Sequence, residues 1–351
     1  MITNRVPHSR ATNARLLILS LAAVLPMAMA LGITSGAAQL TATESLQALL
    51  HLATSDNAGQ AETIVGRIRL PRVLLAAVMG ANLAICGAAM QGLFRNPLAD
   101  PSLIGVTAGA SLGGALVIVT GGRLLEGYLG LTLISTGAFL GGVLAVLFVY
   151  RLATSANGTS VATMLLAGIA ITALAGALGS MLEFFVDNEM LRRISLWKMG
   201  GLDGASYPRL WLGGAVTVAL VIALPRYADA LNALLLGESE ARHLGIDIPR
   251  TKLALVVWVA IGVGTSVALV GTIAFIGLVV PHVVRLLIGP NHRYLLPASA
   301  LAGALLLVMA DTLARVALSP TELPVGIITA IVGVPFFISL LRQRHHYGMQ
   351  S

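Results

Sequence analysis

Apolar residues run in long, nearly unbroken blocks through most of the chain, and charged residues fall between the blocks. Each block has roughly 17 to 25 residues, the length of an α-helix that crosses a hydrocarbon core of about 30 Å. The pattern predicts an all-α polytopic membrane protein with ten transmembrane helices. They are placed at residues 16–36, 70–92, 103–121, 128–150, 160–182, 208–225, 253–271, 273–288, 296–314 and 323–341.

Loop charge predicts the orientation of these helices. An even number of spans puts both termini on one side, and Lys and Arg concentrate in cytoplasmic loops. With the termini in the cytoplasm, the inner segments hold 13 of the 22 Lys and Arg residues and 5 of the 15 acidic residues. The polar stretches at 39–66 and 183–207 are then outside, and the stretch at 226–252 is inside.

Composition agrees with a single transmembrane domain over residues 1–351. Only 11% of residues are charged, against about 25% in soluble domains, and the 38 glycines suit close helix contacts in lipid. The net charge of +7 lies between apolar blocks instead of along one stripe, which excludes nucleic-acid binding. The single cysteine, Cys86, excludes an intrachain disulfide and a cysteine-based metal site.

The inner stretch at 226–252 is too polar to span a membrane but has an apolar face. Gly237 and Gly245 divide it into two short helices at about 231–246. Such a pair either lies on the membrane surface or docks a cytoplasmic partner. Glu238 and Glu240 favour docking, because helices on anionic lipid prefer Lys and Arg.

The chain lacks an energy-coupling device of its own. A phosphate-binding P-loop needs Gly-Lys followed by Ser or Thr, but Lys198 and Lys252, the two lysines, are followed by Met199 and Leu253. The spans carry no rows of ionisable residues of the kind that form proton relays. We therefore expect a transporter subunit, not an enzyme, with its energy source on another chain.

Five segments resemble one known family, the FecCD-type permeases. These are membrane subunits of ABC importers for iron–siderophores, haem and cobalamin. The similar segments are RLPR (69–72), QGLFRNPLADPSLIGVTAGA (91–110), LLLGESEARHLG (234–245), FIGLVVPHVVRLLIGPNHRYLLP (275–297) and ADTLARVALSPTELPVGIITAIVGVPFF (310–337).

The resemblance implies a type II ABC importer architecture in a bacterial inner membrane. Two permease copies, expected as a homodimer, pair above two cytoplasmic P-loop ATPase subunits, and a periplasmic binding protein delivers the substrate. This chain binds no cofactor or metal, and ATP and Mg²⁺ are used by the ATPase. The residues implied in coupling to it are Leu236, Gly237, Glu238, Glu240, Arg242, Leu244 and Gly245.

Three arginines on the outer side oppose the positive-inside tendency. By resemblance to the cobalamin member of the family, Arg69, Arg72 and Arg315 pair with acidic residues of the binding protein. An exposed guanidinium suits a carboxylate geometrically. The alternatives are lipid headgroup contact for Arg69 and Arg72, and a helix pair with Asp311 for Arg315. Glu322 is expected to pair with Arg315 or to cap the helix that follows.

Polar residues near the inner face are candidates for a gate or pathway. They are Gln91, Asn96 and Pro97, although Asn-Pro equally predicts a structural turn. Asn82 and Gln91 are nine residues apart, so a straight helix places them on opposite faces. His282 is expected to be a structural histidine, not a haem ligand.

The outer segment at 183–204 bears on the substrate. Its LRRISLWKMGG resembles the matching stretch of haem and cobalamin permeases, so haem is favoured, with cobalamin or a ferric siderophore as alternatives. Arg192 and Arg193 either attract haem propionates or form a solvated pair. A secondary carrier is a more remote alternative that needs a buried ionisable cluster, and a receptor or scaffold would not need the inner docking loop.

Overall fold

A computed structural model describes residues 8–36, 38, 40–51, 59–121, 127–155 and 158–348. The helices are α1 (His8–Thr34), α2 (Ala42–His51), α3 (Gln60–Thr63), α4 (Leu70–Leu93), α5 (Val106–Gly121), α6 (Gly127–Ala153), α7 (Val161–Phe185), α8 (Asn188–Lys198), α9 (Tyr207–Ala223), α10 (Ala228–Leu236), α11 (Glu238–His243), α12 (Ile248–Val270), α13 (Ile276–Ile288), α14 (His292–Val316) and α15 (Val325–Gly348). Two-residue strands β1 (Thr154–Ser155) and β2 (Gly158–Thr159) pair antiparallel.

Each of the ten predicted blocks coincides with a helix. Seven helical segments among the described residues are long and apolar enough to cross a membrane, and α5, α13 and the apolar part of α15 are shorter. The multi-span helical class is therefore confirmed, whereas the number of ten spans stays a prediction. The predicted cytoplasmic placement of the termini falls partly on residues 1–7 and 349–351, outside the described residues.

The polar stretches contain helices that the apolar pattern did not predict. α2 begins with a capping box, in which the Glu44 side chain accepts from the Thr41 backbone N–H at 2.7 Å and Thr41 Oγ1 accepts from the Glu44 N–H at 3.2 Å. That backbone hydrogen bond lowers the pKa of Glu44. α8 is capped by Asp187, which accepts from the Met190 N–H at 2.8 Å.

α4 is the central helix of the bundle and is buried on nearly all sides. Its glycines allow backbone-to-backbone contact with two neighbours. A Cβ atom at Gly80 would clash with the carbonyl of Gly303 on α14, and one at Gly87 with the carbonyl of Gly277 on α13. Dispersion contacts of this kind hold helices together in lipid, where the hydrophobic effect between them is weak.

α1, α6 and α7 form much of the apolar exterior. Only 17–22% of each helix's apolar window is buried, and the exposed residues include large side chains such as Leu166, Ile169 and Phe184. A soluble protein rarely exposes so much contiguous apolar surface, so these faces suit lipid or a partner helix.

The chain between α12 and α13 is not helical. Gly271, which follows α12, has φ of 70°, and Phe275, which precedes α13, has φ of 68°. A positive φ is uncommon in a residue with a side chain. α13 has 13 residues and is thus only about 20 Å long, so it cannot cross the bilayer alone.

Candidate docking and coupling sites

Two polar sites lie at opposite ends of α14. The first, called here the arginine cluster, consists of Arg69, Arg72, Asp311, Arg315 and Glu322. A turn of π-helix at Ile64–Arg69 leads directly into α4 and brings Arg69 and Arg72 to the end of the bundle where α1 and α14 finish. The cluster therefore joins three helices that are distant in sequence.

Arg69 and Arg315 both donate to carbonyls in the last turn of α1 and just beyond it. Arg69 Nη1 donates to the Ile33 and Thr34 carbonyls at 2.9 and 3.1 Å, and its Nη2 to the Ala38 carbonyl at 2.7 Å. Arg315 donates to the Gly32 and Ser35 carbonyls at 2.8 and 2.7 Å.

The Gly32, Ile33 and Thr34 carbonyls belong to the last turn of α1 and have no partner within the helix, and a positive charge suits the negative end of the helix dipole. The two arginines thus fix the end of α1 to α4 and α14.

Arg72 and Arg315 share one buried carboxylate. Arg72 Nε donates to Asp311 Oδ1 at 2.9 Å, and Arg315 Nε donates to Asp311 Oδ2 at 3.0 Å. Arg72 Nη1 also donates to Glu322 Oε2 at 2.6 Å. The Asp311 side chain is 1% exposed and that of Glu322 is 38% exposed. Glu322 is therefore the solvent-facing member of the network.

The expectation of exposed guanidinium groups is wrong, since Arg69, Arg72 and Arg315 are only 4, 7 and 3% exposed. The reason is tertiary: the end of α1 and the carboxylate of Asp311 take up their donors. The expected pair of Arg315 with Asp311 is confirmed. Glu322 pairs with Arg72 instead of Arg315. The docking role of the three arginines remains a prediction.

The second site, called here the helix pair, consists of α10 and α11. Gly237, with φ of 123°, separates the two helices, and Gly245, with φ of 83°, follows the second. Leu231, Leu234 and Ala241 are buried against the bundle. The predicted break into two short helices is confirmed, with boundaries at 228–236 and 238–243.

The opposite side of the helix pair presents a mixed apolar and charged surface. Leu236 and Leu244 are 69% and 63% exposed, and Glu240, Arg242 and Gly245 are also exposed. Exposed leucines beside charges of both signs form a surface that can bind a protein partner.

α10 is tied to the start of α14. Asn232 donates to Asn291 Oδ1 at 3.0 Å and accepts from the His292 backbone N–H at 2.9 Å. Asp229 and Arg293 form a two-pronged ion pair with both distances at 2.8 Å. These contacts fix α10 to the start of α14.

α11 is tied to α12 by a buried lysine. Lys252 Nζ donates to Glu238 Oε1 at 2.8 Å and to the Thr159 carbonyl, on strand β2, at 2.7 Å. The Lys252 side chain is 3% exposed. Glu238, predicted among the partner-coupling residues, is thus held by an internal contact that orients α11.

The pathway candidates lie together at the end of α4, where the Asn96 backbone N–H donates to the Gln91 carbonyl at 3.1 Å. Gln91 is buried, donates to the Leu278 carbonyl at 3.0 Å and accepts from Arg285 at 3.4 Å. Asn96 and Pro97 lie in a turn at the end of α4, where Asn96 Oδ1 accepts from the Leu98 N–H at 3.0 Å. These contacts give Gln91 and Asn96 structural partners, and a gate or pathway role of Gln91, Asn96 and Pro97 stays a prediction.

Asn82 and Gln91 contact different helices, as their nine-residue separation predicts. Asn82 donates to Gly262 and Ser266 of α12, whereas Gln91 donates to α13. His282 is buried, and its ring lies edge-on to Phe336 with centroids 6.2 Å apart. Arg192 and Arg193 are exposed on α8, and Arg193 lies 3.8 Å from Glu189.

Comparison with known proteins covers most of the chain. The model of the FecCD transport family matches residues 23–343. A hemin transport system permease protein of Yersinia pestis, HmuU, is 47% identical over 79% of this chain and 83% of its own length. A cobalamin import system permease protein of Halobacterium salinarum, BtuC, is 45% identical over 81% of this chain and 74% of its own length.

Solved structures agree with the sequence matches. A structure described as an inward-facing conformation of a metal-chelate type ABC transporter has a TM-score of 0.81 and 30% identity, and the match covers 94% of this chain and 99% of that one. The matches cover nearly the whole sequence, and the helical architecture agrees with them. The chain belongs to the FecCD transport family.

Proposed function

We propose that the chain is the membrane-spanning permease subunit of a binding-protein-dependent ABC importer. The observation that carries the proposal is the helix pair, which is exposed on one side and anchored to α12 and α14 on the other. Residues 1–351 contain no P-loop motif, so we assign ATP hydrolysis and its Mg²⁺ to a partner ATPase. The chain is a single domain with ten spans and cytoplasmic termini in a bacterial inner membrane.

The proposed assembly has three kinds of partner. Two permease copies form a homodimer through their exposed apolar helices. One cytoplasmic ATPase subunit docks on each helix pair through Leu236, Gly237, Glu240, Arg242, Leu244 and Gly245, while Glu238 fixes the orientation of α11. A periplasmic binding protein docks at the end of the bundle that carries the arginine cluster. Asn96 and Pro97 lie close to the proposed cytoplasmic opening.

Co-expression with the P-loop subunit tests the assembly. The permease should retain that subunit on purification, and ATPase activity sensitive to vanadate should appear only when both chains are present. A permease that never retains a P-loop subunit contradicts the proposal.

The substrate is proposed to be haem. The support is the 47% identical relative whose name specifies hemin transport, together with the LRRISLWKMGG motif, which contains the exposed Arg192 and Arg193. Cobalamin is the second candidate, supported by the 45% identical relative named for cobalamin import.

Uptake by proteoliposomes that contain the complete assembly decides between the substrates. Haem and cobalamin are supplied separately on the cognate binding protein, and ATP is enclosed. Haem-selective uptake supports the first candidate. Uptake of cobalamin alone replaces it with the second.

A further inference from the structure

The three arginines of the arginine cluster are not equally available to a partner. Arg69 and Arg315 hold the end of α1, and Arg315 is also paired with the buried Asp311. Among the described residues, Arg72 is the one arginine of the three that bonds to a partly exposed side chain, that of Glu322. An acidic residue on another protein can therefore reach a guanidinium of the cluster most directly by replacing Glu322.

The geometry indicates that a partner's carboxylate replaces Glu322 at Arg72 and does not bind beside it. The Arg72 side chain is only 8% exposed, so little room is left beside Glu322 for a second carboxylate. Two carboxylates at one guanidinium nitrogen would also repel each other. Asp311 cannot leave in place of Glu322, because it is 1% exposed and also holds Arg315.

We propose that Glu322 is a built-in competitor for the acidic docking residue of the periplasmic binding protein. In the free permease Glu322 neutralises Arg72, and on docking the carboxylate of the binding protein takes its place. Glu322 lies in the segment between α14 and α15, so docking releases that connection. The inference rests on the proposed docking at the arginine cluster and assigns opposite roles to Arg72 and Glu322.

Removing a residue that competes with the partner strengthens binding, whereas removing an ordinary docking contact weakens it. Removing the charge of Glu322 should strengthen binding, because the partner no longer has to displace an ion pair. The bond that the partner must displace, from Arg72 to Glu322, is a charge-assisted hydrogen bond. Because 1.4 kcal/mol corresponds to a tenfold change in affinity, Glu322→Gln should tighten binding about three- to tenfold. A structural role for Glu322 would leave affinity unchanged or reduce it.

The test measures the affinity of the cognate binding protein for the complete transporter in nanodiscs, by biolayer interferometry. The variants are Glu322→Gln, Arg72→Gln and the two combined. Glu189→Gln is the matched control, because it removes the same charge from an exposed residue on the same side. It reports the change in affinity that comes from long-range charge alone.

The proposal expects tighter binding for Glu322→Gln, weaker binding for Arg72→Gln, and no gain from Glu322→Gln once Arg72 is neutral. Unchanged or weaker binding by Glu322→Gln overturns it, as does an equal gain from Glu189→Gln or a gain that persists without Arg72. If Arg72→Gln is poorly folded, Arg72→Lys replaces it, since lysine keeps the charge beside Asp311 but not the two-sided geometry. With that variant, binding should weaken and the gain from Glu322→Gln should shrink, and an undiminished gain overturns the proposal.

The same series separates this inference from the docking proposal. Weaker binding by the Arg72 variant with no effect of Glu322→Gln leaves docking standing and refutes competition. No effect of either variant refutes docking at the arginine cluster itself.

Discussion

The arginine cluster and the helix pair use similar residues at opposite ends of the protein in different ways. In the arginine cluster, every charged group except Glu322 is buried and bonded within the chain. In the helix pair, the anchoring bonds face the bundle, whereas leucines and further charges face outward. Charged residues therefore hold the fold together at one end and leave a binding surface open at the other.

The largest effect on stability is expected at Asp311. Asp311→Asn leaves the buried Arg72 and Arg315 without their shared carboxylate, which should cost about 3–5 kcal/mol. The midpoint of thermal unfolding in detergent measures the loss. Glu240→Gln removes the same charge from the exposed face of α11 and should leave the midpoint nearly unchanged. Equal behaviour of the two variants would contradict the distinction between the two ends.

A smaller loss is expected at Lys252. Lys252→Met removes the donor to Glu238 and to the Thr159 carbonyl, at an expected cost of about 1–3 kcal/mol. The control is Arg250→Met, because the Arg250 side chain is 90% exposed. Thermal unfolding should separate the two variants, and proteolysis within α11 should increase only in Lys252→Met. Resistance of α11 in that variant would show that the anchor is dispensable.

The ion pair between Asp229 and Arg293 should contribute less. Both side chains are about two-thirds exposed, at 67% and 64%, and water screens such exposed pairs so that they add little to stability. A double-mutant cycle with Asp229→Asn and Arg293→Gln measures this coupling through the unfolding midpoint. About 1 M salt should abolish it. A coupling that persists at high salt would mean that the pair is less solvated than its exposure indicates.

The smallest effect on stability is expected at the outward leucines. Leu236→Ala and Leu244→Ala should change the free energy of unfolding by less than about 0.5 kcal/mol, yet reduce the ATPase subunit retained on purification several-fold. Leu253→Ala, at a 43% exposed position of α12, is the control for a generic loss of surface leucine. Full retention by both variants would move the coupling surface away from the helix pair.

The apolar pattern was sufficient for the membrane helices and the helix pair. Both depend on local information, namely block length, helical period and the glycines at 237 and 245. The pair of Arg315 with Asp311 was also predictable, because it needs only a spacing of four residues on one helix.

The remaining contacts of the arginine cluster depend on tertiary structure. Arg72 meets Asp311 across 239 residues of sequence, and Arg69 reaches the end of α1 across 36 residues. A sequence without aligned relatives contains no signal for either contact. Exposure was therefore predicted wrongly for all three arginines, whereas their position at the same end of the helix bundle was predicted correctly.

The glycine contact between α4 and α14 constrains how the protein can move. Because the backbones at Gly80 and Gly303 touch with no side chain between them, one helix cannot slide or rotate past the other without a clash. α4 and α14 should therefore move together as one rigid unit. If the chain alternates access as proposed, the opening must form along helix contacts other than the one between α4 and α14.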